Sequence, residues 1–146
     1  MLRIKKFKTA YSTNGGNMLK NTIEYKRFVW ELNNVMKLNN KNKKILFLCI
    51  GTTKIIGDSF GPAVGSRLKQ KFEKAKDIEI IGNLEDAFTY DKIEDNVQHM
   101  RELYPNCLMV AIDSALSEKV NVGKIFIQNR GLKYAESLKK NNQRIR

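Results

Sequence analysis

The sequence is poor in the residues that build metal centres, crosslinks and nucleophilic triads. One histidine, His99, and two cysteines, Cys49 and Cys107, are all that 146 residues provide. There is no C-x-x-C pair, so the usual ligand sets of structural zinc are missing. Ser59, Ser114 and Ser117 have no histidine in sequence context that would activate a hydroxyl. His99 falls in a helical stretch beside Gln98 and Met100 and reads as a surface residue. Each cysteine lies at or beside a continuous apolar segment, and is read as a buried reduced thiol rather than a disulfide partner or nucleophile. No apolar run has the length of a membrane span. The first residues are basic but lack the apolar stretch and small-residue cleavage site of a secretory signal, so a cytoplasmic protein is expected.

Charge of one sign is scarce in only part of the chain. The formal net charge is +12, from 27 Lys and Arg against 15 Asp and Glu. Residues 1–44 carry 11 basic residues against 2 acids, and residues 130–146 carry 6 against 1. That leaves 10 bases and 12 acids in residues 45–129, a net of 10 − 12 = −2. The basicity belongs to the ends. A nucleic-acid binder wants a basic face on its folded part, with aromatics or a reading helix, and neither is visible. Solvated basic ends are the commoner outcome.

The length suits one domain with a real core. Residues 1–17 read as a flexible basic extension, because "TNGG" is turn chemistry and no apolar period runs through them. Met18 could serve as the start. Residues 18–132 read as one α/β domain, and 133–146 as a basic C-terminal tail. Within the domain, Tyr25, Phe28, Val29, Leu32, Val35 and Met36 recur at helical spacing, which predicts a helix over 19–38. "ILFLCI" (45–50) is a continuous apolar strand of the kind buried on both faces of a parallel sheet. A helix over about 62–75 follows, with Pro62 in its first turn. "DIEIIGNL" (77–84) is a strand and 91–104 a helix. "CLMVAID" (107–113) and "GKIFIQN" (123–129) are strands. This alternation is an α/β pattern whose right-handed crossovers place helices on both faces of the sheet.

The chemistry concentrates in "CIGTTKIIGDSFGP" (49–62). The loop lacks the lysine of a P-loop, and its glycines miss the spacing of a dinucleotide fingerprint. A carboxylate, Asp58, stands where a phosphate would have to sit. Taken alone, Asp58 reads as a helix cap, accepting backbone N–H groups at a helix start. Asp113 changes the weighing. It ends the strand "LMVAI", and Asp58 lies in the loop after the carboxyl end of another strand. Ligands of open α/β sheets bind in the crevice outside those ends. If the two strands are neighbours, two acids share one crevice, with coupled protonation suited to acid/base work on a peptide bond. The same carboxylates could instead hold a divalent cation. Asp113 could also be a turn or cap residue, with "DSALS" opening a short helix. Glu85 and Asp86 follow the second strand, and either rim the same crevice or belong to a solvated loop.

"CIGTTKIIGDSFGPAVGSRL" (49–68), "LEDAF" (84–88) and "MVAIDSALSEKVNVGKI" (109–125) together resemble the YyaC family of sporulation proteins. That family is similar to the germination protease and to hydrogenase maturation proteases, and the match covers roughly residues 43–132. The resemblance implies a three-layer α/β/α sandwich around a mostly parallel sheet. It implies a sporulation-associated protease of aspartic type, a hydrolase acting on a protein or peptide substrate, with Asp58 and Asp113 as the catalytic pair. Gly51, Thr52, Gly57, Ser59, Gly61, Glu85 and Ser114 are then expected to line the substrate site. No cofactor, resident metal or membrane is expected. The chain departs from the family pattern twice. Thr53 stands where the family usually has an acid after "CIGT". The family also continues past "GLKYAESLKKNNQRI" (131–145) into a further strand and helix, so the C-terminal elements are expected to be missing. A catalytically degenerate, non-enzymatic binding or regulatory protein is the alternative.

Overall fold

The computed structural model describes residues 2–7, 23–38, 44–115 and 125–128. Among the described residues, eight regular elements follow in order: β1 (Leu2–Phe7), α1 (Ile23–Leu38), β2 (Lys44–Cys49), α2 (Phe60–Lys71), β3 (Ile78–Ile81), α3 (Ile93–Leu103), β4 (Cys107–Ala115) and β5 (Ile125–Gln128). Two short 3-10 turns, Ile56–Asp58 and Tyr90–Lys92, lead into α2 and α3. The strands form one sheet in the order β3-β2-β4-β1-β5. Every neighbouring pair is parallel except β1 with β5.

Alternation along β4 explains the layers. Successive strand residues face opposite sides of a sheet. Met109 and Ala111 join Leu46, Leu48 and Ile50 in a core closed by Ile93, Val97 and Met100 of α3. Leu108, Val110 and Ile112 face the other way, against Phe28, Leu32 and Met36 of α1 and Val64 and Leu68 of α2. Helices therefore cover both faces, as the three-layer reading requires. The topology gives the reason. The chain moves outward from β2 to β3, then crosses back over β2 to β4. Right-handed crossovers in opposite directions put α2 and α3 on opposite faces. The two strands that carry the candidate acids, β2 and β4, are direct neighbours, with Lys44 opposite Cys107 and Cys49 opposite Ile112.

Three expectations are corrected. Residues 2–7 are not part of a flexible extension. They form β1, an interior strand between β4 and β5, registered from Leu2 opposite Val110 to Phe7 opposite Ala115. Without it the facing edges of β4 and β5 would present rows of unpaired backbone groups, and pairing them outweighs the solubility of a basic hexapeptide. Residues 8–17 and the tail at 133–146 lie outside the described residues. The short helix considered for "DSALS" does not begin at Asp113, because residues 113–115 continue β4. The second of the expected strands is shorter than 77–84, since Gly82 turns out of it at φ +88°.

Candidate functional site

The order β3-β2-β4 makes the carboxyl ends of β2 and β4 the point where the chain's path across the sheet reverses, which is where open α/β sheets place their ligands. β2 runs into this crevice through Ile50, whose N–H donates to the Ile112 carbonyl at 2.8 Å. The chain then has to turn from a buried strand into α2 within ten residues. Gly51 takes φ +144°, and a Cβ there would lie 2.0 Å from the Asp58 carbonyl. Gly61, in the first turn of α2, packs so closely on β2 that a Cβ would lie 2.0 Å from the Ile50 carbonyl. Thr52 N–H donates to the Asp58 carbonyl at 3.1 Å, closing the loop on itself. The Thr52 hydroxyl accepts from the Lys54 N–H. Gly57 sits inside the 3-10 turn that ends at Asp58, and Ser59 is the residue at which α2 begins.

Asp58 is half-buried, and its carboxylate points back to the sheet rather than along α2. The Ser114 hydroxyl donates to Asp58 Oδ1 at 3.0 Å, across 56 residues of sequence. No side-chain cap bond forms at Ser59, the position that would cap α2. Asp58 Oδ1 thus makes a tertiary contact between the loop and β4.

Asp113 is fully buried, at 0 % exposure. Its Oδ2 accepts a hydrogen bond from the Tyr90 hydroxyl. Asp113 continues the Met109–Ala111 series on the α3 side of the sheet, and Ser114 continues the Val110–Ile112 series on the side of α1 and α2. The two carboxylates thus come to the end of β4 from its two faces: Asp58 held by Ser114, Asp113 held by Tyr90. The backbone of β1 flanks the same stretch, with Lys5 registered opposite Asp113 and Lys6 opposite Ser114.

The loop after β3 is built around Asn83, which is buried. Its Oδ1 accepts the N–H groups of Glu85 at 2.7 Å and Asp86 at 2.8 Å, and its own N–H donates to the Asp86 carbonyl. Ser66 of α2 accepts the Leu84 N–H at 3.0 Å and ties that loop to the helix. Glu85 and Asp86 themselves are exposed, on the loop rather than against Asp58 or Asp113 in any hydrogen bond of the described residues. Thr53 is exposed, and so is His99 on α3.

Two residues went unseen in the sequence. Asn83 has the signature of an Asx-type turn, an asparagine after a glycine at a strand end, and could have been found by that signal. Tyr90 carries no local signal, because its partner is 23 residues away and is chosen by the topology. The cysteines behave as expected for thiols. Both are free; Cys49 is buried and Cys107 half-buried. Burial pushes the Cys49 thiol up to about 12, and burial also raises Cys107. Among the described residues, no three His, Cys, Asp or Glu side chains gather as a metal-binding group. None of the described helices is long and apolar enough to cross a membrane.

Comparison with known proteins places this architecture. The chain is 32% identical over 98 residues to the "Uncharacterized protein YyaC" of Bacillus subtilis (strain 168). The match takes in 67% of this chain and 47% of that protein, so the chain spans about half the length of the curated relative it matches. No solved structure matches significantly. A family model described as "Protein of unknown function (DUF1256)" matches residues 18–145, including the loop of Asp58 and the strand of Asp113, and the chain belongs to that family.

Proposed function

We propose that this chain is a hydrolase that cleaves a protein substrate in the cytoplasm of a sporulating cell, with Asp58 and Asp113 as its acid and base. One observation carries the reading. A carboxyl group with 0 % exposure stands at the carboxyl end of β4, beside the chain-reversal point of the sheet, with a second carboxylate fixed to the very next residue. Burying a carboxylate is expensive, and a fold that does so at a strand end beside its chain-reversal point supports a role in chemistry there. The resemblance of residues 49–68, 84–88 and 109–125 to the YyaC family of sporulation proteins suggests the substrate class and the cellular setting.

The arrangement suggests how the work is divided. A peptide bond laid across the end of β4 would meet Asp58 from the face of α1 and α2 and Asp113 from the face of α3. One carboxyl activates water and the other protonates the leaving amine, and each is oriented by its own hydroxyl partner. Gly51 and Gly61 let the loop and the start of α2 close tightly on the end of β2, which fixes where Asp58 stands. No nucleotide or phosphate role fits a loop whose side chain at the turn is a carboxylate.

A second reading, a binding or regulatory protein without hydrolysis, is favoured by one specific observation: Asp113 is fully buried and its Oδ2 is taken by the Tyr90 hydroxyl. The two readings separate in one assay. The purified chain is incubated with proteins extracted from spores, and new termini are mapped by mass spectrometry beside an Asp58→Asn variant. Cleavage by the parent and its loss in the variant supports the hydrolase. Retention of substrates without cleavage by both proteins supports the binding reading.

A further inference from the structure

We propose that Tyr90 is a gate over Asp113: its hydroxyl holds the carboxyl in place in the closed state, and a substrate must displace the phenol to reach it. The inference deepens the hydrolase reading and rests on it for the identity of the substrate, but not for the gate itself.

The placement of Tyr90 is what carries it. Residue Phe88 bridges Ile50 in parallel, and the Gly51 N–H donates to the Phe88 carbonyl at 3.0 Å. The Ile50 N–H points the other way, to Ile112 of β4. Phe88 therefore lies on the β3 side of β2, and Asp113 on the opposite side. Neighbouring strands stand about 4.8 Å apart, so the backbones at Phe88 and Asp113 are separated by roughly two strand spacings. The Tyr90 side chain makes up that distance. It starts beyond Phe88, crosses the carboxyl end of β2, and ends on Asp113 Oδ2. A crossing at that level lies over the crevice.

Exposure agrees with a gate rather than a core tyrosine. Tyr90 is 43 % exposed while the carboxyl beneath it is at 0 %. A tyrosine buried for stability has its ring inside and its hydroxyl satisfied at the surface. Here the hydroxyl reaches a fully buried carboxyl while the residue as a whole stays exposed. The residue also sits in a three-residue 3-10 turn rather than in α3, with Thr89 before it extended. The segment below it is anchored by the buried Phe88, and the one after it by the buried Ile93. A rotation of the Tyr90 side chain can thus uncover Asp113 while both anchors stay in place. The hydrogen bond that the phenol gives up has to be replaced by another donor at Asp113 Oδ2, and a water molecule or a backbone amide of an extended peptide has the required N–H or O–H.

The test reads the accessibility of Asp113 directly and needs no substrate. The folded chain is treated with a water-soluble carbodiimide and an amine, and amide formation at each carboxyl is followed by peptide mapping. The exposed Asp86 serves as the internal reference. In the parent protein, Asp113 is expected to couple far more slowly than Asp86. In Tyr90→Ala, its rate relative to Asp86 rises by about tenfold or more, while Tyr90→Phe, which keeps the ring and loses the hydroxyl, rises by a smaller factor consistent with one lost hydrogen bond. An unchanged relative rate in Tyr90→Ala overturns the gate. So does an equal rise at Cys49 to a thiol reagent, since that marks general loosening rather than opening at Tyr90. If the gate opens as expected but no variant cleaves protein, the hydrolase reading fails and the gate stands.

Discussion

Replacing Gly61 by alanine probes the contact that seats the Asp58 loop against the sheet. Gly61 is helical, and at an open helix position the change would stabilise by about 1 kcal/mol. The position is not open. The new Cβ would lie 2.0 Å from the Ile50 carbonyl oxygen, 2.7 Å from its nitrogen and 2.8 Å from its carbonyl carbon. All three atoms are backbone, so no side chain can swing aside. Reaching the ordinary 3.4 Å contact requires a displacement of 3.4 − 2.0 = 1.4 Å between α2 and β2. Ile50 cannot yield that much without loosening its 2.8 Å bond to Ile112 of β4. Overpacking costs about 1–3 kcal/mol and more where backbone must move. The clash therefore outweighs the helix gain, and a net loss of about 2 kcal/mol is expected. For a chain of this size that lowers Tm by about 4–8 °C. Urea denaturation of Gly61→Ala beside the parent measures it, with the midpoint falling and the slope unchanged. A variant as stable as the parent, or more stable, refutes the close seating of α2 on β2.

Three further outcomes follow from the packing. Cys49 in the native chain should resist a disulfide exchange reagent at mildly alkaline pH while the half-buried Cys107 reacts, and both should react after unfolding; rapid labelling of native Cys49 contradicts its burial. Because the folded Cys49 thiol is raised from 9.0 to about 12, the unfolded chain ionises it first, so this contribution is intact below pH 9 and is lost as pH climbs from 9 toward 12, visible as a falling melting temperature. Deleting residues 1–7 removes β1 and opens the facing edges of β4 and β5. The truncated protein should melt lower or self-associate on size-exclusion chromatography, and an unchanged monomer with unchanged melting would show that β1 is dispensable.

The helices and buried strands were legible because their patterns are local. The continuous apolar run of β2 and the period of α3 each report burial within a few residues, and both elements fall within two residues of their expected ends. β1 escaped because Arg3, Lys5 and Lys6 occupy half of a six-residue segment, and its place is decided by the unpaired edges of β4 and β5, which no local reading sees. The candidate site divides along the same line. Asp58 and Asp113 stood out by their positions at strand ends. That β2 and β4 are neighbours was a condition of that reading, and the sheet order meets it. The partners were another matter. Ser114 meets Asp58, and Tyr90 meets Asp113, through contacts 56 and 23 residues apart that exist only once the crossovers are fixed. The helix-cap reading of Asp58 is sound local chemistry, but it could not foresee the hydroxyl that the sheet delivers to Oδ1 from elsewhere.

The central claim is that Asp58 and Asp113, reaching the end of β4 from its two faces, act as one hydrolytic unit. The most direct measurement is the rate of protein cleavage by the parent, Asp58→Asn, Asp113→Asn and the double variant, each first shown to be folded. Residues that act as a unit are non-additive. The account predicts that either single change abolishes cleavage and that the double variant is no slower than the singles. Cleavage that survives either substitution, or losses that simply multiply in the double variant, would contradict it.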